Sequence, residues 1–351
     1  MSLLQWLTTG SFNGIYLEQM KEPALSRPFL HFFSSATIQS KPIHHGYDLS
    51  HPLSCEQLAD VARQAGIIDE HDGKPLADKI LRAARQKNSA VCVDAIDDEP
   101  YVSSQINPLL HCSSQIVRAA NWISSALDVS ERFIAIYKNM SALDTKIPSF
   151  IDGVEVRRMQ GRYPMEIRAF RSFKNAAFIA GAASLLHLYR AVTEGRAQTT
   201  SFVTVAGNCV GTPRNYEVTI GTPVSVLLER CGLIQSPSII VEGGAMRGIA
   251  LDDPDHTAIR PSTSSILVFH VDRQEQLYSC IGCGRCIEAC PSGLNPQKLY
   301  RCVTTNHKQT ALSLGIQNCI GCASCSYICP SRLDLAHNIV QAKLRLSPDP
   351  E

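Results

Sequence analysis

The most legible periodicity opens at Ser54. In SCEQLADVARQAGI the apolar positions Leu58, Val61, Ala62 and Ala65 recur at intervals of three and four, the spacing that lines one face of a helix. Ser54 stands where a hydroxyl caps a first turn and Gly66 where a left-handed residue ends one, so a helix is predicted between them. A second helix is predicted over Pro75 to Gln86, ahead of the apolar run Ala90 to Val93, and a third over Gln115 to Leu127, ahead of Phe133 to Tyr137. Helix then strand, repeated, implies an α/β domain.

Lys174 to Glu194 reads as a further helix. Beyond it SFVTVAG, YEVTI and SSILVFH are short β-branched runs broken by Gly, Pro and Asn, which predicts a small β-rich domain near residues 197 to 270. The first forty residues mix apolar and turn-forming types without a period and read as loops and short strands. The last eighty contain an internal repeat, CIGCGRCIEACPSGL at 280 to 294 and CIGCASCSYICPSRL at 319 to 333, with a helical linker between. The resulting division is an N-terminal region 1–42, an α/β domain 43–196, a β domain 197–270 and a cysteine-rich helical unit 271–351.

A chain of 351 residues accommodates two or three such units. Its hydrophobic share of 44% and charged share of 19% are those of a globular protein, and a formal net charge of +1 without like-charge runs excludes a nucleic-acid footprint. The most apolar stretch, Ala176 to Leu186, covers about half of the roughly 20 residues that cross a bilayer, so no membrane span is expected. The opening MSLLQWLTTGSF has neither a basic start nor a small-residue cleavage site, and a cytoplasmic location is expected.

Fourteen cysteines change the picture. Eight fall into two runs of the form C-x-x-C-x-x-C-x-x-x-C-P, whose spacing lets three thiolates of one tight loop reach three irons of a cubane while the fourth lies beyond. Small residues at Gly282, Gly284, Gly321 and Ala323 keep each loop close, and Pro291 and Pro330 turn the chain away. Zinc also takes C-x-x-C pairs, but it draws two separated pairs of ligands, and two 4Fe-4S clusters are the better reading. In dicluster ferredoxins the fourth cysteine of each run serves the other cube. Cys280, Cys283, Cys286 and Cys329 are therefore expected to hold the first cluster, and Cys319, Cys322, Cys325 and Cys290 the second. Two four-thiolate cubes side by side suit one-electron relay rather than chemistry at an open iron. Cys55, Cys92, Cys112, Cys209, Cys231 and Cys302 stand singly and read as small core residues.

The order of parts resembles the C subunit of the Rnf ion-translocating oxidoreductase complex. Asp98-Glu99-Pro100-Tyr101 looks like that family's ECEPY, Arg162-Tyr163-Pro164 like its KYP, and Gly243-Gly244-Ala245-Met246-Arg247-Gly248 like its GGPMMG. Residues 203 to 223 are similar to its SLBB region, and Phe12 to Ile15 echo an N-terminal FxGGI. The resemblance implies a Rossmann-like domain of the complex I flavoprotein-subunit type, a β-grasp SLBB domain and a helical dicluster ferredoxin domain. It also implies FMN and NADH as cofactors, with Glu99 near the nucleotide. The family's glycine-rich loop, however, is replaced after Ala65-Gly66-Ile67 by IDEHDGKPLADKI, which places Asp69, Glu70 and Asp72 where an anion would sit. Binding of FMN or NADH in the family's way is therefore not expected, and DEHDG reads as a solvated turn between helices.

What the resemblance implies for function is an electron-transfer subunit on the cytoplasmic face of the membrane, relaying electrons between NADH or ferredoxin and membrane-embedded partners. A soluble cobalamin-reductase-like or proline-reductase-associated protein is the alternative, as is a scaffold in which only the ferredoxin unit is redox-active. The Gly243 to Gly248 segment reads foremost as a turn, and His44, His45, His187 and His337 as core or surface residues.

Overall fold

A computed structural model describes residues 30–32, 43, 46–138, 147–171, 177–270 and 278–346. Phe12 to Ile15, His44, His45 and Lys174 to Ala176 lie outside the described residues.

The α/β domain is a five-stranded sheet in the order β4-β5-β3-β2-β6. Its strands are β2 (Ala90–Ala95), β3 (Arg132–Tyr137), β4 (Phe150–Ile151), β5 (Val154–Met159) and β6 (Ala177–Gly181), all parallel except β4. Alternate residues of the two central strands go to opposite faces. Val91, Val93, Ile134 and Ile136 pack under α1 (Cys55–Gln64), α2 (Leu76–Ala84), α3 (Ile106–Ala126) and α5 (Ala182–Glu194). Ala90, Cys92, Phe133 and Ala135 pack on the other face with Met165 and Ala169 of α4 (Met165–Arg171). Burial on both faces explains the unbroken apolar runs.

The predicted N-terminus of α1 is present as a full capping box: the Ser54 hydroxyl accepts from Gln57 N and the Gln57 side chain from Ser54 N. Gly66 follows with φ of 64°. The third helix begins nine residues earlier than its periodicity implied, with non-helical backbone at Cys112 marking where two segments join. The helix predicted from Lys174 is corrected over its first part, because Ala177–Gly181 is strand β6, paired in parallel with β2. AFIAG is five apolar residues long, and a buried strand and a buried helix turn look alike at that length.

The second sheet has the order β1-β8-β7-β11-β9-β10. It comprises β1 (Leu30–Phe32), β7 (Thr200–Ala206), β8 (Arg214–Thr219), β9 (Ile239–Glu242), β10 (Ile249–Ala250) and β11 (Ser265–Phe269). One face, carrying Val203, Val205, Val218, Ile266 and Val268, is covered by Leu227 and Leu228 of α6 (Val224–Cys231). This is the helix-on-mixed-sheet arrangement expected of a β-grasp unit. Helix α5 of the α/β domain is joined to the second sheet by a buried ion pair, Arg190 Nη1 to Glu217 Oε1 of β8 at 2.5 Å, to which Thr200 adds a hydroxyl at 2.8 Å.

The C-terminal unit is helical: α7 (Arg285–Ala289), α8 (Pro296–Thr304), α9 (Lys308–Ser313), α10 (Ser324–Tyr327) and α11 (Leu335–Leu346). Its core is Leu299, Ala311, Ile316, Leu335 and Ile339, and the paired cysteine runs pack against that core.

Candidate functional site

Both cysteine loops have the same backbone. Gly282 and Gly284 in the first and Gly321 and Ala323 in the second all have positive φ, which folds the chain tightly between successive cysteines. The loops differ in where they face. Cys280 and Cys283 are exposed and Ile281 between them is 71% exposed. In the second loop Cys322 is buried, and Ala323 packs with Met246 and Ala336 while Tyr163 and Cys325 lie against them. The methyl of Ala323, held in a conformation that favours glycine, thus belongs to the contact between the helical unit and the rest of the molecule.

Cys280, Cys283, Cys286 and Cys329 line one cavity of about 140 Å³. Burial, together with the nearby sulfurs of Cys329 and Cys280, raises the Cys286 thiol. Burial raises Cys325 far above the ordinary thiol range, and Cys322, Cys319 and Cys290 add to the effect; Cys319 is raised by burial and by Cys322 and Cys290. Such thiols lose their protons to a metal rather than to water. Backbone N–H groups of Gly282 and Leu294 lie 3.4 Å from the sulfurs of Cys280 and Cys290, the kind of contact that tunes a cluster's potential. Of the other cysteines, Cys55, Cys92, Cys209 and Cys231 are buried, whereas Cys112 and Cys302 are partly exposed.

The three motif segments DEPY, RYP and GGAMRG meet. The Glu99 carboxylate accepts from Tyr163 Oη at 2.7 Å, from Arg247 Nε at 2.8 Å and from Met246 N at 2.8 Å. A Cβ at Gly244 would lie 2.1 Å from Glu99 Oε2, so only glycine fits there. The two preceding acids each serve a helix start: Asp97 accepts from Gln105 and Ile106 N at the head of α3, and Asp98 from Glu166 N at the head of α4. Burial, with the charge of Glu166, pushes the Asp98 carboxyl up to about 6.

The DEHDG segment turns inward, correcting its reading as a solvated turn. Asp69 is fully buried, pairs with Lys79 and accepts from Gly181 N at 3.0 Å. Glu70 accepts from the Ser184 backbone N–H at 3.1 Å and from the Ser184 hydroxyl. Its carboxylate therefore fills the anion position at the N-terminus of α5, and a Cβ at Gly181 would strike it at 2.0 Å. Burial and neighbouring Asp69 push Glu70 up to about 7. His71 Nδ1 lies 2.7 Å from Asp94 Oδ2 and 3.3 Å from Glu166 Oε1. Burial works against protonation of His71, but these two carboxylates outweigh it and raise the imidazole to about 10. Sequence reasoning passed over His71, Asp94 and Glu166, and saw Arg247 only as part of a turn, because their partners are remote in the chain. The Asp94-to-Glu99 acidic run at the end of an apolar strand was the available signal.

His187 is buried against Phe202, and burial lowers it to about 3, while His337 is exposed. Among the described residues, no helix is long and apolar enough to cross a membrane.

Two family models match: a 4Fe-4S dicluster domain over residues 279–333 and an SLBB domain over 202–250. The chain is 26% identical over 265 residues to the C subunit of an ion-translocating oxidoreductase complex from Yersinia pseudotuberculosis, covering 69% of this chain and 38% of that one. It is 24% identical over 266 residues to the C subunit of a proton-translocating ferredoxin:NAD(+) oxidoreductase complex from Clostridium ljungdahlii, covering 70% and 58%. It is also 26% identical over 313 residues to the C subunit of the ion-translocating oxidoreductase complex of Rhodobacter capsulatus, covering 83% and 60%. The chain thus spans between 38% and 60% of the length of these relatives. In fold it is similar to a chain of the NAD+-reducing NiFe hydrogenase in its H2-reduced state, with a TM-score of 0.52 at 10% identity, covering 92% of this chain and 68% of that one. With the expected fold class present and its motif segments gathered on Glu99, the chain is similar to the C subunits of Rnf-type ion-translocating oxidoreductase complexes and matches an SLBB and a 4Fe-4S dicluster domain.

Proposed function

We propose that this chain relays single electrons within a membrane-associated Rnf-type ion-translocating oxidoreductase complex, docked on the cytoplasmic face. The observation that carries this reading is the asymmetry of the two cysteine loops within one small unit: Cys280 and Cys283 face solvent, while Cys322 and Cys325 sit against the body of the protein. One side is thereby open to a redox partner and the other is insulated.

In this reading Cys280, Cys283, Cys286 and Cys329 hold one 4Fe-4S cluster, and Cys319, Cys322, Cys325 and Cys290 the other, each supplying one-electron capacity when bound. The cavity shared by the first four, and the proximity of Cys290 to Cys319 and Cys325, support the crossed arrangement. In this reading the units are the four expected from the sequence, 1–42, 43–196, 197–270 and 271–351, with Leu30–Phe32 of the first pairing with β8 of the third. The α/β domain acts as a scaffold, and electrons are exchanged with a ferredoxin-type protein rather than with NADH through bound FMN. Glu70 supports this, because its carboxylate takes the helix N-terminus that a cofactor phosphate would otherwise use.

Anaerobic rapid-mixing of the cluster-loaded protein tests it. Reduced ferredoxin should bleach the cluster absorption, whereas NADH should not, with or without added FMN. Fast NADH-dependent bleaching with one flavin per chain would overturn the scaffold reading.

A further inference from the structure

The cleft beneath the DEHDG segment has a composition that neither electron relay nor fold maintenance uses in full. It has a volume of about 190 Å³, and its wall carries the carboxyl groups of Glu70, Asp94, Asp97, Asp98, Glu99 and Glu166 against two basic side chains, His71 and Arg247. Three of these groups cluster together. The ligand atoms offered by His71, Asp94 and Glu166 all lie within 4.8 Å of one another. The two separations from His71 Nδ1, 2.7 and 3.3 Å, fall near the about 2.9 to 3.4 Å edges of an octahedron or tetrahedron drawn round an ion with ligands at about 2.0 to 2.1 Å.

We propose that His71, Asp94 and Glu166 bind one divalent transition-metal ion in this cleft.

A single imidazole nitrogen has one proton at most to share between two carboxylates, and an ion in its place satisfies all three groups at once. Each ligand is held from behind, as metal ligands are. Asp94 Oδ1 accepts from Ile96 N at 3.0 Å, Glu166 Oε2 accepts from Arg247 Nη2 at 3.3 Å, and the His71 ring stands edge-on to Phe170 with centroids 5.1 Å apart. Asp94 lies near the carboxyl end of β2, in a parallel sheet, where such folds place their ligands.

An independent observation points to an occupant. Ser104 lines the same cleft and is 2% exposed, yet its hydroxyl has no hydrogen-bond partner among the described residues. Buried hydroxyls are nearly always partnered, and an ion's water ligand would supply what this one lacks. One nitrogen and two oxygens favour Zn2+, Mn2+, Fe2+ or Co2+ over the all-oxygen preference of Ca2+.

The test is a Mn2+ titration of the oxidised, cluster-loaded protein followed by paramagnetic resonance. Oxidised 4Fe-4S clusters are silent, free Mn2+ gives a six-line signal, and Mn2+ competes poorly for thiolates. The signal should stay suppressed until about one Mn2+ per chain has been added, and Zn2+ should then release it. Asp94→Asn and Glu166→Gln should each weaken retention by roughly ten- to a hundred-fold, with cluster iron unchanged. Should Asp94→Asn fail to fold, Glu166→Gln decides alone. A signal that rises in proportion from the first addition, or retention equal to that of the unaltered protein in the folded variants, would overturn the site.

Discussion

Glu99 and Arg247 stand 148 residues apart in the chain and meet at 2.8 Å, tying the loop after β2 of one sheet to the turn between β9 and β10 of the other. Tyr163 and the Met246 N–H complete the carboxylate's partners, and Met246 in turn packs on Ala323 of the second cysteine loop. The α/β domain, the SLBB domain and the inner cysteine loop therefore share one junction.

Arg247→Met leaves the Glu99 carboxylate, 9% exposed, with neutral donors alone. Arg247 is about a third exposed, so the loss is discounted to about 1–3 kcal/mol. The denaturation midpoint should fall, and Arg247→Lys should recover only part, because an ammonium cannot serve Glu99 and Glu166 in Arg247's fork geometry. An unchanged midpoint in Arg247→Met would show that the junction does not hold the domains together.

Gly244→Ala tests the same junction from the other side. Its methyl would fall 2.1 Å from Glu99 Oε2, displacing the carboxylate from all its donors. A cost of about 1–3 kcal/mol is expected, in line with other overpacked sites, and unfolding monitored by circular dichroism reports it.

Cys290 lies in the first cysteine run, but crossed ligation assigns it to the second cluster. In Cys290→Ala the cluster served by Cys319, Cys322 and Cys325 should be lost or converted to a three-iron form, while the resonance of the cluster on the Cys280 side persists after dithionite reduction. Loss confined to the Cys280-side cluster would contradict the assignment.

His187 gives stability a specific pH dependence. Burial lowers it from 6.5 to about 3, so the folded state keeps it neutral while the unfolded chain takes up a proton. Its contribution is complete above about pH 6.5 and is lost as pH falls toward about 3, at up to about 1.4 kcal/mol per pH unit. His187→Leu should flatten that slope in urea midpoints measured between about pH 7 and 5; parallel slopes would show that the histidine is not held neutral.

Where the determinants were local, the sequence was readable. The Ser54 cap and its Gln57 partner lie three residues apart, and the cysteine repeats carry their spacing within a dozen residues. What depended on distant partners was not. Ala177–Gly181 became a strand because β2 lies beside it, not because of its own period. Asp69, Glu70 and His71 looked like a solvated turn because carboxylates usually are solvated; their partners Lys79, Ser184, Asp94 and Glu166 lie 10 to 114 residues away or on other elements. Likewise DEPY, RYP and GGAMRG were each visible as segments, but no spacing showed that they share one carboxylate.

The most direct test is quantitative iron and acid-labile sulfide analysis of anaerobically purified protein, read alongside its paramagnetic spectrum after reduction. About eight irons and eight sulfides per chain, with a spectrum broadened by two neighbouring centres, are the predicted result. Zinc in place of iron, or about four irons with a single isolated signal, would contradict a two-cluster relay.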